Sequence, residues 1–179
     1  MKDIGLLVID FQKGMTKYIP YALDQTIHTI QSLISLFRSK GLPVMYVRHT
    51  EGEEEFKEGT DDWQVDPRVG PLPDDFIFNK SHSSSFKDTP LTPYLEKKGI
   101  QKLILCGMQT EYCIDTTAKA GFEHGFEIYI ADQGHTTFDN SVLPADKIYL
   151  HYNKIIFNDS FSKVLTYEEI EKMILSHNG

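Results

Sequence analysis

The sequence predicts an α/β fold over residues 1–179: one three-layer, doubly wound domain with about six mainly parallel strands and helices on both faces of the sheet. Three observations support this prediction. Apolar segments short enough for strands alternate with longer amphipathic segments along the whole chain. Several short segments, of which residues 4–10 are the clearest, are apolar without a break, as in strands buried on both faces. Glycines stand where the amphipathic segments end, and glycine commonly terminates helices.

Each predicted strand is a short run of mostly apolar residues. The strands are expected at residues 4–10, 43–48, 76–79, 102–106, 127–131 and 154–157. Because helices connect parallel strands, the crossovers between them should be right-handed. The carboxyl ends of the strands should then meet at one edge of the sheet, which is where the active sites of such folds lie.

The helices are predicted from apolar residues at helical spacing. In the first helix this stripe consists of Leu23, Ile27, Ile30, Ile34 and Phe37. The helices are expected at residues 21–40, 91–98, 111–124, 145–153 and 167–176. Gly41, Gly99 and Gly125 are predicted helix ends, and Thr110 is a predicted N-cap for the helix at 111–124.

The negative charge of the chain is concentrated in one polar loop. The net charge is −8, and residues 51–62 contain seven acidic residues and one lysine. The whole loop, residues 49–74, is expected to be a solvated surface, a lid or a subunit interface, and it carries the one tryptophan, Trp63. An acidic chain without a basic patch argues against nucleic acids and anionic membranes as partners.

The chain contains two cysteines, Cys106 and Cys113, which are too few for a disulfide framework. No secretion signal and no membrane-length apolar run is recognised in the sequence. We therefore expect a protein of the reducing cytoplasm, where free thiols persist. Cys106 lies within a predicted strand and is interpreted as a core residue.

Three chemically useful side chains follow predicted strands. Asp10 ends the first strand, Lys80 follows the third, and Cys113 lies near the start of the helix after the fourth. Each has a structural alternative, because strand-end charges are commonly solvated and free cysteines are commonly packing residues. In one crevice they would combine a nucleophile, a proton acceptor and a cation. The helix N-terminus and Lys80 are expected to lower the pKa of the Cys113 thiol.

Longer motifs surround these residues. They read LLVIDFQKGM at 6–15, NKSHSSSF at 79–86 and GMQTEYCIDTTAKAG at 107–121, with weaker motifs IADQGHTT at 130–137 and LHYNK at 150–154. In this order, and over nearly the whole chain, they resemble the isochorismatase-like cysteine hydrolase family. The segment around Cys113 is the most specific part of the resemblance.

The resemblance implies a role for each residue. Cys113 would attack the carbonyl of an amide, Asp10 would accept the thiol proton and later activate water, and Lys80 would keep both groups in order. The family has a cis peptide bond before the nucleophile, which here would join Met108 and Gln109. The N–H groups of Gln109 and Cys113 would then form the oxyanion hole.

One departure from the family concerns metal binding. Family members that act as nicotinamidases bind a metal through an Asp-x-His pair after the second strand, whereas this chain has Val47 in place of the Asp. We therefore expect no metal and no other cofactor, and we interpret His49 as a pocket residue. Gln12 and Tyr112 are further pocket candidates, with loop capping and core packing as their open alternatives. The role of His135, after the fifth strand, stays open.

The predicted function is hydrolysis of a C–N bond in a small amide, ureide or carbamoyl compound through a thioester at Cys113. Two alternatives stay open. One is an isochorismatase-type hydrolysis of a vinyl ether, which needs the acid but not the thiol. The other is a catalytically silent or redox-responsive interaction domain. The resemblance also implies a homodimer or homotetramer, and a small molecule as the substrate.

Overall fold

A computed structural model of the chain describes residues 3–52 and 54–176. Within these residues six strands form one sheet in the order β3-β2-β1-β4-β5-β6, and all neighbouring strands are parallel. The strands are β1 Ile4–Ile9, β2 Val44–His49, β3 Phe76–Lys80, β4 Lys102–Met108, β5 Glu127–Thr136 and β6 Lys163–Leu165. The predicted doubly wound α/β fold is confirmed.

Helices cover both faces of this sheet. They are α1 Lys13–Thr16, α2 Leu23–Ser39, α3 Leu91–Lys98, α4 Asp115–Glu123, α5 Ala145–His151 and α6 Tyr167–Ser176. Successive residues of β1 point to opposite faces, so Leu6 belongs to the core that includes α2 and Leu7 to the core that includes α3. Both leucines are fully buried, and this two-sided burial explains why the strand is apolar without interruption.

The order of the strands places a crevice beside β1. The chain leaves β1 toward β2 and β3 on one side and returns to form β4 on the other side. Connections therefore diverge where β1 and β4 end, which is the topological switch point at which ligands bind in open α/β sheets. Asp10 follows β1 and Cys113 follows β4, so the topology directs both toward this crevice.

One predicted strand is wrong. Residues 154–157 do not join the sheet: the chain forms a π-helical turn at Tyr152–Ile156, and Phe157 is buried after it against His135. A short apolar run is compatible with a strand or with a buried turn, and its periodicity does not separate them. The sixth strand is the three-residue Lys163–Leu165, which pairs with β5 from the edge of the sheet.

The predicted N-cap at Thr110 is also wrong. The chain first makes a π-helical turn at Thr110–Ile114 and only then continues as α4, and Gln109 is the extended residue before it. The Thr110 hydroxyl lies 2.9 Å from Nδ1 of His135 instead of capping a backbone N–H group. Strands β4 and β5 also run further than predicted, to Met108 and Thr136, and helix α1 was not predicted.

The acidic loop at 49–74 folds back over the carboxyl edge of the sheet. Trp63 is 5% exposed, its indole N–H donates to Thr50, and the guanidinium of Arg48 lies 3.6 Å from the centre of its ring. Two of the acids, Asp61 and Asp62, form exposed ion pairs with lysines on and just after α1. The loop is therefore packed against the edge of the sheet. Glu53 lies outside the described residues.

Across the described parts of the chain, every helix falls short of the length or the apolar character needed to cross a membrane.

Gly107 offers a sharp test of how closely β1 and β4 approach. Its φ is +117°, and a Cβ built there lies 2.0 Å from the carbonyl oxygen of Ile9. We expect Gly107→Ala to lower the free energy of unfolding by more than about 4 kcal/mol, since backbone cannot yield as a side chain does. Gly99→Ala is the control: its φ is +68° with nothing within 4 Å, so it should lose only about 1–2 kcal/mol. Equal losses in urea unfolding would contradict this.

Candidate active site

A buried ion pair joins the ends of β1 and β3. Asp10 has a left-handed backbone with φ 48°, and its Oδ2 lies 2.7 Å from Nζ of Lys80. The side chains of Asp10 and Lys80 are 6% and 0% exposed. Burial alone would lower the pKa of Lys80, but the Asp10 carboxylate and the Cys113 sulfur raise it above its ordinary value. Lys80 therefore stays a cation.

The Lys80 ammonium also orders the groups around it. Its Nζ lies 3.2 Å from Sγ of Cys113, 3.2 Å from Nδ1 of His49 and 3.0 Å from the carbonyl oxygen of His82. Because an ammonium has only hydrogens to donate, Nδ1 of His49 must be the acceptor nitrogen. The hydrogen of this neutral imidazole then lies on Nε2, which donates to Oε1 of Glu51 at 2.7 Å.

The thiol of Cys113 is protonated at rest. Burial and the negative charge of Asp10 raise the pKa of Cys113 to about 12, and Lys80 lowers it only in part. Lys80 therefore acts in the expected direction, but the expectation of a net lowered pKa at Cys113 is wrong. The physical reason is that Lys80 is already paired with Asp10, so the two charges nearly cancel at the sulfur, while the cost of burying a thiolate remains.

The backbone before the nucleophile turns sharply at the end of β4. The peptide bond between Met108 and Gln109 is cis, and Gln109 is extended, with φ −91° and ψ 152°. The carbonyl oxygen of Gln109 accepts from the N–H groups of Tyr112 and Ile114. Gln109 and Cys113 both border the cavity described next.

A cavity of about 270 Å³ opens above Cys113. It is lined by Asp10, Met15, His49, Glu51, Phe56, Ser83, Met108, Gln109, Tyr112 and Cys113. Apolar or aromatic walls are formed by four of these side chains: two methionines, a phenylalanine and a tyrosine. The polar groups lie around the sulfur and at His49 and Glu51, so the cavity can hold a small molecule with its reactive group on Cys113.

The three pocket candidates have different positions. His49 lines the cavity, and so does Tyr112, which is 54% exposed. Gln12 is fully buried and is not one of the described residues that line the cavity. Its side-chain amide donates to the carbonyl oxygens of His49 and Trp63 and accepts from the N–H of His49. Gln12 therefore has the loop-capping role that the sequence left open.

Three residues of the site are close enough to one another to hold a metal ion. They are Asp10, His49 and Cys113, whose potential ligand atoms all lie within 4.8 Å of one another. The Lys80 ammonium, however, lies within 3.2 Å of an atom from each of the three. A divalent cation bound by this group would lie against a buried positive charge and would be repelled by it. The three residues together with Lys80 therefore do not fit a metal ion.

A second polar network lies behind the turn that carries Gln109. Asn153 donates from Nδ2 to Asp132 at 2.7 Å, so its Oδ1 accepts from Nε2 of His135 at 3.2 Å. Nδ1 of His135 is then the acceptor for the Thr110 hydroxyl. Burial lowers the pKa of His135 to about 4, which keeps the ring neutral. Sequence reasoning assigned no role to this histidine, although two of the weaker motifs contain His135 and Asn153.

The protein is an open α/β protein whose candidate active site lies at the carboxyl edge of a parallel sheet. Residues 5–142 match the isochorismatase domain family. An uncharacterized isochorismatase family protein of Bacillus subtilis is 29% identical over 178 residues, covering 94% of this chain and 98% of the relative. Nicotinamidase 3 of Arabidopsis thaliana is 28% identical over 157 residues, covering 79% and 77%.

Solved structures agree with these sequence relatives. A crystal structure of an isochorismatase family protein is 32% identical, with a TM-score of 0.86 over 92% of this chain and 99% of that chain. The protein belongs to the isochorismatase family.

The buried neutral His135 should make stability depend on pH. Its folded-state pKa, about 4, is below the ordinary 6.5, so acid protonates the unfolded chain first and stability falls as pH drops from 6.5 toward 4. Between pH 7 and pH 5 this group should cost wild type about 2 kcal/mol of unfolding free energy. In urea unfolding, His135→Gln should not show this loss of unfolding free energy between pH 7 and pH 5. The control His28→Gln, which changes an exposed histidine, should show the same loss as wild type. An unchanged pH dependence in His135→Gln would contradict the assignment.

Asp10 should slow the alkylation of Cys113 at rest. Asp10→Asn removes the negative charge that raises the thiol pKa and frees the charge of Lys80 to stabilise a thiolate. Each unit of pKa lost multiplies the thiolate fraction about tenfold, so iodoacetamide at pH 8 should label Asp10→Asn about tenfold faster than wild type. Peptide mass mapping should find the label on Cys113 and not on the fully buried Cys106. If wild type were labelled faster than Asp10→Asn, Asp10 would not raise the thiol pKa and the prediction would be wrong.

Proposed function

We propose that this protein is a cysteine-dependent amidohydrolase that cleaves a C–N bond in a small amide, ureide or carbamoyl compound. One observation carries the proposal: Asp10, Lys80 and Cys113 meet at one end of the cavity, with Lys80 2.7 Å from the carboxylate and 3.2 Å from the sulfur. A nicotinamidase among the relatives supports an amide as the substrate.

In the first half of the reaction Cys113 attacks the substrate carbonyl. Its sulfur forms a bond to the carbon while the thiol proton passes to the Asp10 carboxylate, so the high pKa of the free thiol does not have to be overcome before attack. The carbonyl oxygen becomes an oxyanion that accepts from the N–H groups of Gln109 and Cys113. Such a donor typically stabilises the transition state by about 2.7–4 kcal/mol.

The intermediate then collapses and water completes the reaction. The C–N bond breaks, Asp10 returns its proton to the leaving nitrogen, and a thioester remains on Cys113. Asp10 next takes a proton from water as the water oxygen attacks the thioester. The C–S bond breaks, the sulfur recovers the proton from Asp10, and the acid leaves. Throughout, Lys80 faces whichever of Asp10 or Cys113 is negative.

The position of Lys80 favours this reaction over the two alternatives. Vinyl ether hydrolysis needs the acid of Asp10 but makes no use of an ammonium 3.2 Å from a thiol. A catalytically silent domain would not require the buried Asp10–Lys80 pair to lie beside a cavity, since burying two charges is costly.

The second cysteine allows a matched test of the nucleophile. In a screen of nicotinamide, benzamide and N-carbamoyl amino acids for ammonia release, wild type should turn over at least one compound. Cys113→Ala should lower its turnover by roughly 10³-fold or more, because the thioester cannot form. Cys106→Ala, a change in the core of β4, should keep the activity.

Mass spectrometry of a rapidly quenched reaction should also find the acyl group on Cys113. If Cys113→Ala kept full turnover with a folded circular dichroism spectrum, the covalent mechanism would be wrong. Acid catalysis by Asp10 alone would then be the better explanation.

A further inference from the structure

The charges around the cavity indicate what kind of substrate it accepts. Of the described residues that line it, two are carboxylates, Asp10 and Glu51, and none is an arginine or a lysine. Lys80 touches the site from behind, but its charge is matched by Asp10 at 2.7 Å. None of the described residues that line the cavity is a lysine or an arginine that could pair with Glu51, and the Glu51 side chain is 52% exposed.

The histidine next to Glu51 does not neutralise it. His49 accepts at Nδ1 from the Lys80 ammonium, and its single ring hydrogen therefore lies on Nε2. That N–H donates to Oε1 of Glu51 at 2.7 Å, which fixes the position of the carboxylate and leaves its negative charge in place. The backbone N–H of Glu51 also donates to the carbonyl oxygen of Phe56, so the residue is held on the cavity wall.

The lysines near the cavity mouth do not offset the negative charge of Glu51, because each is paired with an aspartate. Lys13 and Lys17, which flank the lining residue Met15, are paired with Asp61 and Asp62 at 2.6 and 2.7 Å. A carboxylate on the substrate would approach this mouth against repulsion, whereas a cation would be attracted.

We propose that Glu51 makes the cavity selective for small amides that carry a cationic group on an apolar or aromatic body, and that it disfavours amides that carry a carboxylate. The apolar walls formed by Met15, Phe56, Met108 and Tyr112 hold the body of the substrate, and the cation lies against Glu51. This inference rests on the amidohydrolase activity proposed above and adds the charge class of its substrate.

Three amides of matched size test the inference. Benzamide is neutral, 4-(aminomethyl)benzamide is cationic and 4-carboxybenzamide is anionic, and each releases ammonia on hydrolysis. Wild type should show the highest kcat/KM for the cation and the lowest for the anion. In Glu51→Gln, with each value taken relative to that for the neutral amide, kcat/KM for the cation should fall about tenfold and that for the anion should rise about tenfold. The glutamine still accepts from His49, so the change removes charge alone.

Glu58→Gln is the matched control. Glu58 is an exposed acid of the same loop that contacts Asn79 and does not line the cavity, so its loss should leave the ranking of the three amides as in wild type. If Glu58→Gln changed the ranking as much as Glu51→Gln, selectivity would come from the net charge of the loop and the assignment to Glu51 would be wrong.

Protection of Cys113 from iodoacetamide gives a second readout that does not need turnover. The cationic amide should protect wild type at lower concentration than the anionic amide, and Glu51→Gln should remove this difference. Equal protection by both amides, or a wild-type preference for the anion, would overturn the inference while leaving amide hydrolysis intact. Absence of ammonia release together with preferential protection by the cation would count against the proposed activity and not against the charge selectivity.

Discussion

Asp10 and Lys80 place two opposite charges almost completely out of water at the carboxyl edge of the sheet. Neither charge is stable there alone, because desolvating an unpaired ion costs several kcal/mol. The pair therefore constrains everything near it: β1 and β3 must end at the same level, and the acceptors around the ammonium must face inward. His49 and Cys113 meet that requirement, and the hydrogen of His49 is consequently directed away from Lys80, to Glu51.

The same ion pair decides the state of the nucleophile. A lysine beside a buried thiol would ordinarily favour the thiolate, but here the lysine is matched by a carboxylate, and the pKa of Cys113 rises. In the proposed reaction this is an advantage, because the proton stays between Cys113 and Asp10 until a carbonyl carbon is in place to receive the sulfur. Asp10 then holds the one proton that the leaving nitrogen needs.

The fold supports this arrangement from two sides. On one side the acidic loop is anchored by the buried amide of Gln12, which donates to the carbonyl oxygen of His49 at the start of the loop and to that of Trp63 within it. On the other side the chain of hydrogen bonds from Asp132 through Asn153 and His135 reaches Thr110, next to Gln109. The reacting groups therefore lie between two sets of buried hydrogen bonds, which restrict the positions that they can adopt.

The sequence by itself determined the alternation of strands and helices and the limits of the helix at residues 167–176, because periodicity and burial are local properties of the chain. It also determined that Asp10, Lys80 and Cys113 follow strands, and the carboxyl ends of parallel strands meet at one edge of the sheet. It did not determine that residues 154–157 form a turn, since a short apolar run fits either structure. The raised pKa of Cys113, the buried amide of Gln12 and the position of Glu51 on the cavity wall were decided by the tertiary structure alone. Each depends on distances between residues far apart in the chain, and the energies of charges and hydrogen bonds change steeply with distance and burial.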